Sequence, residues 1–178
     1  MAIATHRPTA AEYPPYFSRY IDRVPEGDML VLFRENSARL DATLAALDQA
    51  QSGHRYAEGK WNIRQMLGHL IDTERVFVYR ALHIARGDPA PLPGFDQDDY
   101  AAAAVSDARQ LSDLRDELHA LRDSTIRFFE SLPESAWART GVVNGNNVSV
   151  RALAHIIVGH TEHHLYMLAE RYDVPSGK

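Results

Sequence analysis

Apolar residues recur every three or four positions through most of the chain, a spacing that predicts amphipathic helices and not strands. Clusters of glycine and proline divide this pattern into four long segments. Asp28, Asn62 and Ser106 have the side chains of N-caps and precede three of these segments. The four predicted helices cover residues 28–52, 62–86, 106–132 and 149–172. Together they predict an all-α four-helix bundle.

The predicted connections differ in length. Residues 87–100 contain three prolines, two glycines and four aspartates, and this composition cannot continue a helix. We therefore predict a long crossover loop between the second and third helices. The Asn144-Gly145 pair before the last helix is suited to a tight hairpin turn. Residues 1–27 are expected to form an arm that docks on the bundle, so that residues 1–178 make one domain.

Composition mainly excludes classes of protein. A chain of 178 residues that is 45% hydrophobic and 24% charged is typical of one globular domain. Its net charge of −5 disfavours nucleic-acid binding. Because there is no cysteine, disulfides, thiolate metal sites and a thiol nucleophile of the protein are excluded. Without a membrane-spanning apolar run or a secretory signal in residues 1–15, we expect a cytoplasmic protein with no membrane segment.

The candidate chemistry lies in the last predicted helix, where four of the nine histidines fall within ten positions. Stepping about 100° per residue from Leu153 places His160 and His164 on the inward apolar stripe. The same count places His163 on the shoulder of that stripe. It places His155 on the opposite face, toward solvent.

Two imidazoles four residues apart on one helical face can reach the same metal ion. The alternative is that His160 and His164 are hydrogen-bonded core residues. Two ligands are also too few for a metal site, so a third has to come from another helix. The candidate is His69, on the flank of the second helix, where Gly68 would permit close approach of a neighbouring segment. A boundary histidine without a ligand role is the competing interpretation for His69.

Three stretches of sequence resemble the DinB-like superfamily, small four-helix-bundle proteins named for damage-inducible protein B. The resemblance extends from about Pro8 to Tyr172, and the stretches are Gly59-Lys60-Trp61-Asn62-Ile63, residues 68–75 and residues 159–165. It implies a divalent metal held by three histidines, which match His69, His160 and His164 here. It also implies an up-down-down-up order of helices with a long crossover, and a homodimer.

Two classes of function remain open, a metal-dependent transferase or hydrolase and a non-catalytic protein. Some members are similar to metal-dependent thiol transferases and a thiol-dependent isomerase. Three neutral imidazoles leave an open metal position, so we expect an enzyme in which water or a low-molecular-weight thiol attacks a small-molecule substrate. Imidazole ligands do not discriminate among Zn, Ni, Mn and Fe. The alternative is a non-catalytic metal-binding or stress-response bundle, which predicts a fourth protein ligand, with His163 as the candidate.

The remaining polar residues near the predicted site are less informative. Glu162, Asp72 and Glu74 are interpreted as solvated or interhelical salt-bridge residues and not as partners of the metal ligands. The acidic run Asp96, Asp98 and Asp99 is interpreted as a solvated loop. After the last histidine, residues 165–167 are Leu-Tyr-Met where many family members have polar residues, so contacts expected there are in doubt. No catalytic residue is assigned, and a bundle without metal is the third interpretation.

Overall fold

The computed structural model describes residues 6–175, and four long helices are its main elements. The α-helices of this part of the chain are α1 Ser18–Ile21, α2 Met29–Ala45, α3 Ile63–Ala85, α4 Gln97–Ala103, α5 Leu111–Glu130, α6 Glu134–Trp137 and α7 Val150–Arg171. Two antiparallel strands, β1 Thr140–Val143 and β2 Asn146–Ser149, precede α7. Helices α2, α3, α5 and α7 confirm the predicted four-helix bundle.

Local sequence explains where three of the long helices begin. The Asn62 side chain accepts the backbone N–H of Gln65, and the Gln65 side chain accepts the N–H of Asn62, which is the predicted capping box. Asp28 caps α2 and Ser149 caps α7 through the same kind of bond. Between β1 and β2, Asn144 and Gly145 both have positive φ, as the predicted tight hairpin turn requires.

Two helix boundaries were predicted wrongly. Helix α5 begins at Leu111 and not after Ser106, because Ser106 is buried in a 3-10 turn against Gly68 of α3. Helix α2 ends at Ala45, well before Ser52, because Asp48 and Gln51 bond to each other's backbone N–H and close a separate turn. In both places tertiary or side-chain contacts determine the boundary, and the helical periodicity does not.

The crossover between α3 and α5 is long, as predicted, but it contains the short helix α4. Asp96 accepts the N–H groups of Asp98 and Asp99 and so caps this helix. The acidic run is therefore a helix start and not the solvated loop that was predicted. The negative charges of Asp98 and Asp99 in its first turn also favour a helix N-terminus.

Bonds near the helix ends fix the relative directions. Helices α3 and α7 are antiparallel, because Tyr172 after α7 donates to the carbonyl of Trp61 before α3 at 2.7 Å. Helices α3 and α5 are parallel, because Arg64 near the start of α3 donates to the carbonyl of Asp107 before α5. Helices α2 and α5 are antiparallel, since Phe33 stacks on Phe129. The ring centroids are 5.3 Å apart. The order is up-down-down-up, as predicted.

A layer of polar side chains divides the core into two apolar clusters. One cluster surrounds Phe33, Phe129 and Leu153, and the other surrounds Leu67 and Leu114. Between them, each long helix contributes buried polar residues, which are Asn36, His69, Thr73, Glu74, Arg122, Thr125, His160 and Thr161. Buried polar groups require partners. The hydrogen bonds and ion pairs among these residues distinguish those that support the fold from those that form the candidate site.

The segment before α2 packs along one face of α7. The Glu12 carboxylate accepts bonds from Ser149 and Arg151, and the backbone of Tyr20 approaches Gly159 so closely that a Cβ there would lie 2.1 Å from its oxygen. His155 lies on this covered face and is buried, so its predicted exposure to solvent is wrong. Its burial lowers the pKa of His155 to about 4.

No helix among residues 6–175 is both long enough and apolar enough to cross a membrane.

Candidate metal centre

Three imidazoles from two antiparallel helices converge in the polar layer. The Nε2 atom of His160 lies 3.0 Å from Nε2 of His69 and 3.1 Å from Nε2 of His164. Ligand nitrogens of all three lie within 4.8 Å of one another. His69 and His160 are buried and His164 is partly buried. The structure therefore brings together the three histidines that the sequence singled out.

Glycines in front of two of these histidines let neighbouring segments approach. A Cβ at Gly68 would lie 2.0 Å from the Ser106 hydroxyl of the crossover, and Gly159 is in similar contact with the backbone of Tyr20. The predicted close approach at Gly68 is thus made by a segment of this chain. Each contact is made next to a clustered histidine along the chain, His69 in one case and His160 in the other.

Aromatic rings hold two of the imidazoles in place. The ring of Trp61 lies 4.9 Å from the ring of His69, measured between centroids. The ring of Tyr20, from α1, lies 5.2 Å from that of His160 in an edge-to-face arrangement. Trp61 precedes α3 and Tyr20 precedes α2, so loops and the N-terminal segment contribute to the site along with the two helices. This packing reduces the rotamer freedom of both histidines.

Burial keeps the three imidazoles neutral at pH 7. Burial lowers the pKa of His69 to about 4. For His160 and His164, burial and the neighbouring imidazoles together lower the pKa well below the usual value of a histidine. A neutral imidazole has a lone pair on one ring nitrogen, which is the form that binds metal ions. The cluster is therefore in its ligand form under ordinary conditions.

Thr73 is the partner of the outer nitrogen of His69. Its hydroxyl lies 3.3 Å from Nδ1, one helical turn after His69 on α3. When Nε2 is the ligand atom, Nδ1–H donates to this hydroxyl and fixes both the tautomer and the ring orientation. This contact follows from the i, i+4 spacing of the two residues, although the sequence analysis had considered only carboxylates for the role.

The nearby carboxylates are engaged elsewhere. Glu74 is buried and accepts hydrogen bonds from Arg122 and Thr125, so it is an interhelical salt-bridge residue and is not solvated. Glu162 accepts from Asn36 of α2 at 2.6 Å and also pairs with Arg39. Each therefore completes a network outside the histidine cluster.

His163 stays outside the cluster. It is partly buried, and its ring contacts the rings of Tyr20 and His164 at 5.4 and 5.3 Å. Burial and the positive charges of Arg23 and Arg19 lower its pKa. Within residues 6–175 no fourth histidine, aspartate or glutamate joins the three clustered nitrogens.

A cavity of about 440 Å³ opens beside the cluster. His160 and Thr73 line it, together with Arg80 of α3 and Phe95 of the crossover. Apart from His160, the sequence analysis missed this lining, because most of it comes from segments that meet only in the folded protein. One signal was available for Arg80, which follows His69 by eleven residues and so lies at nearly the same angle on α3.

The donor set fits a divalent ion. Two imidazole nitrogens on one tetrahedral zinc ion lie roughly 3.3 Å apart, given metal–nitrogen distances near 2.05 Å. The observed separations of 3.0 and 3.1 Å need only a small outward adjustment of the rings. Neutral nitrogen ligands also suit nickel, manganese and iron.

Comparison with known proteins assigns the family. The sequence profile of the DinB superfamily matches residues 32–168. The chain belongs to the DinB superfamily. A relative from Oceanobacillus iheyensis, named as a candidate metal-dependent hydrolase, is 28% identical over 130 residues, which are 71% of this chain and 73% of the relative.

Two solved structures share the fold of this DinB-superfamily chain. YfiT from Bacillus subtilis, described as a candidate metal-dependent hydrolase with an unusual four-helix-bundle topology, aligns with a TM-score of 0.73 and 15% identity over 97% of both chains. A mycothiol-dependent maleylpyruvate isomerase aligns with a TM-score of 0.68 and 14% identity, over 88% of this chain and 63% of the isomerase. At these identities the two likenesses concern the fold.

Proposed function

We propose that this protein is a divalent-metal-dependent enzyme acting on a small molecule, with His69, His160 and His164 as the metal ligands. The observation that carries the proposal is the cavity that reaches His160 beside a cluster of three histidines, which no other histidine, aspartate or glutamate of the described residues joins. Enzymes with metal centres of this kind keep a coordination position open for water or substrate. The names of the Oceanobacillus and Bacillus relatives support a hydrolase.

The residues of the chain determine what such a site can do. A metal ion bound there supplies Lewis-acid activation of a water or thiol nucleophile. The Thr73 hydroxyl would fix the tautomer of His69 in which Nδ1 is protonated, and Trp61 and Tyr20 pack on the rings of His69 and His160. Because the chain has no cysteine, a thiol nucleophile would have to be a separate small molecule that enters the cavity. The fold shared with a mycothiol-dependent isomerase supports this second route.

The competing function is a non-catalytic metal-binding protein, which would close the coordination sphere with a fourth protein ligand. His163 was the candidate, but it is not among the three clustered histidines. Its ring packs against Tyr20 and His164 instead. The observed arrangement therefore favours a metal-dependent enzyme over a non-catalytic metal-binding protein.

Cobalt substitution tests the open position directly. The visible absorption bands of Co²⁺ in the loaded protein should change when azide or 2-mercaptoethanol is added, because either can enter a free position beside three imidazoles. His119→Ala is the matched control, since His119 pairs with Asp41 on the surface. It should behave as wild type, and His160→Ala should not bind cobalt. Bands that do not respond to azide or thiol would indicate a closed site and favour the non-catalytic alternative.

The homodimer implied by the family resemblance is also part of this proposal. Light scattering on the purified protein should give twice the mass of the 178-residue chain. A monomer at micromolar concentration would remove this part of the proposal without affecting the metal site.

A further inference from the structure

Arg80 is a buried cation in the wall of the cavity that no carboxylate neutralises. The residue is 7% exposed. Within residues 6–175 no aspartate or glutamate oxygen lies within 4.0 Å of its guanidinium, whereas the other buried arginine, Arg122, is paired with Glu74. Burial lowers the pKa of Arg80. A buried positive charge without a counter-ion is unfavourable unless a ligand supplies one.

The Arg80 guanidinium has more N–H donors than the described residues accept. Its Nη2 donates to the carbonyl of Pro93 at 3.0 Å, and this is its only hydrogen bond to the described residues. Its other nitrogens are not among the described side-chain atoms that are fully buried without a partner, and Arg80 lines both this cavity and a smaller one beside Pro93 and Tyr100. An arginine has five N–H donors, which leaves a fork free for a planar or tetrahedral anion.

Two aromatic rings hold this fork in place. The guanidinium carbon lies 5.7 Å from the ring centroid of Phe77 and 5.5 Å from that of Phe95. Contacts of this kind favour a cation over a neutral group and restrict the long side chain before a ligand arrives. Holding Pro93 would not need a charge, because a neutral donor could make the same bond.

The acidic residues of the cavity do not take the place of a ligand. Asp96 and Asp98 line it, but both are exposed. The Asp96 carboxylate accepts the N–H groups at the start of α4. Neither forms an ion pair with Arg80 within the 4.0 Å limit. They lie on the solvent side of an anion site and would disfavour ligands that carry a second negative charge there.

The distance between Arg80 and the histidine cluster suits a small molecule that reaches both. It follows Thr73 by seven residues on the same face of α3, which corresponds to roughly 10 Å along the helix axis. Thr73 contacts His69, and the cavity that Thr73 and Arg80 line also reaches His160. Phe17, Phe77 and Leu153 contribute apolar surface to the wall of this cavity. A small molecule with an apolar body could therefore span both ends.

We propose that Arg80 binds the anionic oxygen group, a carboxylate or phosphate, of a substrate whose apolar body fills the cavity and whose reacting group faces the histidine cluster. The assignment of the reacting end rests on the proposed function. The anion site itself is made by Arg80 and does not involve the metal. Arg80 is thus a residue that determines specificity.

Benzoate and its neutral isostere benzamide test the anion site in chelator-treated, metal-free protein. Isothermal titration should show that wild type binds benzoate at least tenfold more tightly than benzamide, because only benzoate offers a charged acceptor. Arg80→Gln should lose this preference and keep its affinity for benzamide, and Arg80→Lys should retain part of it. Arg86→Gln is the matched control, because Arg86 is an exposed arginine at the end of the same helix.

Equal binding of benzoate and benzamide by wild type, no binding of benzoate, or an unchanged preference in Arg80→Gln would each overturn the proposal. If Arg80→Gln does not fold, the side-chain Nε–H resonance of Arg80 in wild type replaces it. This resonance should shift with benzoate and not with benzamide, and an unchanged resonance would overturn the assignment. Because metal is absent throughout, failure of this test is distinct from failure of the metal centre to bind cobalt.

Discussion

Two polar clusters are buried side by side in this bundle, and they differ in the charges and hydrogen bonds that their members offer one another. Arg122 and Glu74 are 2% and 4% exposed and form a bidentate ion pair, with Asn36, Thr125 and Thr161 completing its hydrogen bonds. The second cluster has three imidazoles and no carboxylate.

The difference indicates which cluster is structural and which is a site. Opposite charges with matched donors and acceptors need nothing further, so the Arg122–Glu74 network serves the fold. Three neutral imidazoles can share only N–H···N hydrogen bonds, whereas an electrophilic ion at their centre would engage all three lone pairs at once. Arg80 follows the second pattern, as a buried charge that has no counter-ion among residues 6–175.

The largest expected loss of stability comes from breaking the Arg122–Glu74 network. Glu74→Ala leaves Arg122 buried without its counter-ion, and this should lower the free energy of unfolding by about 3–5 kcal/mol. Urea denaturation of the metal-free protein measures it. The double variant Glu74→Leu, Arg122→Met removes both charges and should recover most of the loss. If the double variant is as unstable as the single one, the network does not act as a matched pair.

Lowering the pH should destabilise the metal-free protein through the histidine cluster. The pKa of His69 is about 4 in the folded protein, against 6.5 for a free side chain, so the unfolded chain binds more protons between these values. Stability should therefore fall as the pH decreases from 6.5 to 4, with about 3 kcal/mol from this residue over the whole window.

His69→Leu removes this titrating group, so the difference in urea midpoint between pH 7.5 and pH 4.5 should become smaller. The buried His155, outside the cluster, remains in the variant and contributes a dependence of the same sign. A pH dependence identical in wild type and His69→Leu would show that His69 is not held neutral by burial.

Metal binding at the histidine cluster should stabilise the protein. A divalent ion at a hundredfold excess over its Kd should add about 2.7 kcal/mol to the free energy of unfolding, because it binds the folded state. Thermal melts with and without zinc measure this gain. His160→Leu should remain folded and lose the response to zinc. A zinc response that persists in His160→Leu would place the binding site elsewhere.

The smallest effect is expected on the surface. Glu117 pairs with Arg75 and Arg109 at 2.6 and 2.5 Å, but both arginine side chains are more than a third exposed. Glu117→Ala should therefore cost only about 0–1 kcal/mol. A loss as large as that of Glu74→Ala would mean that burial does not distinguish the two carboxylates.

Periodicity predicted the bundle and the inward faces of His160 and His164 because both depend on local spacing. The crossover and the N-terminal segment could not be placed in this way. His155 is buried by a segment more than a hundred residues away in sequence, and Ser106 is held by packing against Gly68 and does not cap α5. The cavity was out of reach for the same reason, since its wall joins the segment before α2, the crossover and the β-hairpin.

His69, His160 and His164 are proposed to hold one divalent ion together. Metal content measured by mass spectrometry tests this assignment. Untagged wild type and His163→Ala, reconstituted and desalted together, should contain about one ion per chain, whereas His69→Ala, His160→Ala and His164→Ala should contain almost none. His163 is the matched control because it neighbours the cluster without joining it. Wild type without metal after reconstitution, or equal metal in all five proteins, would contradict the account.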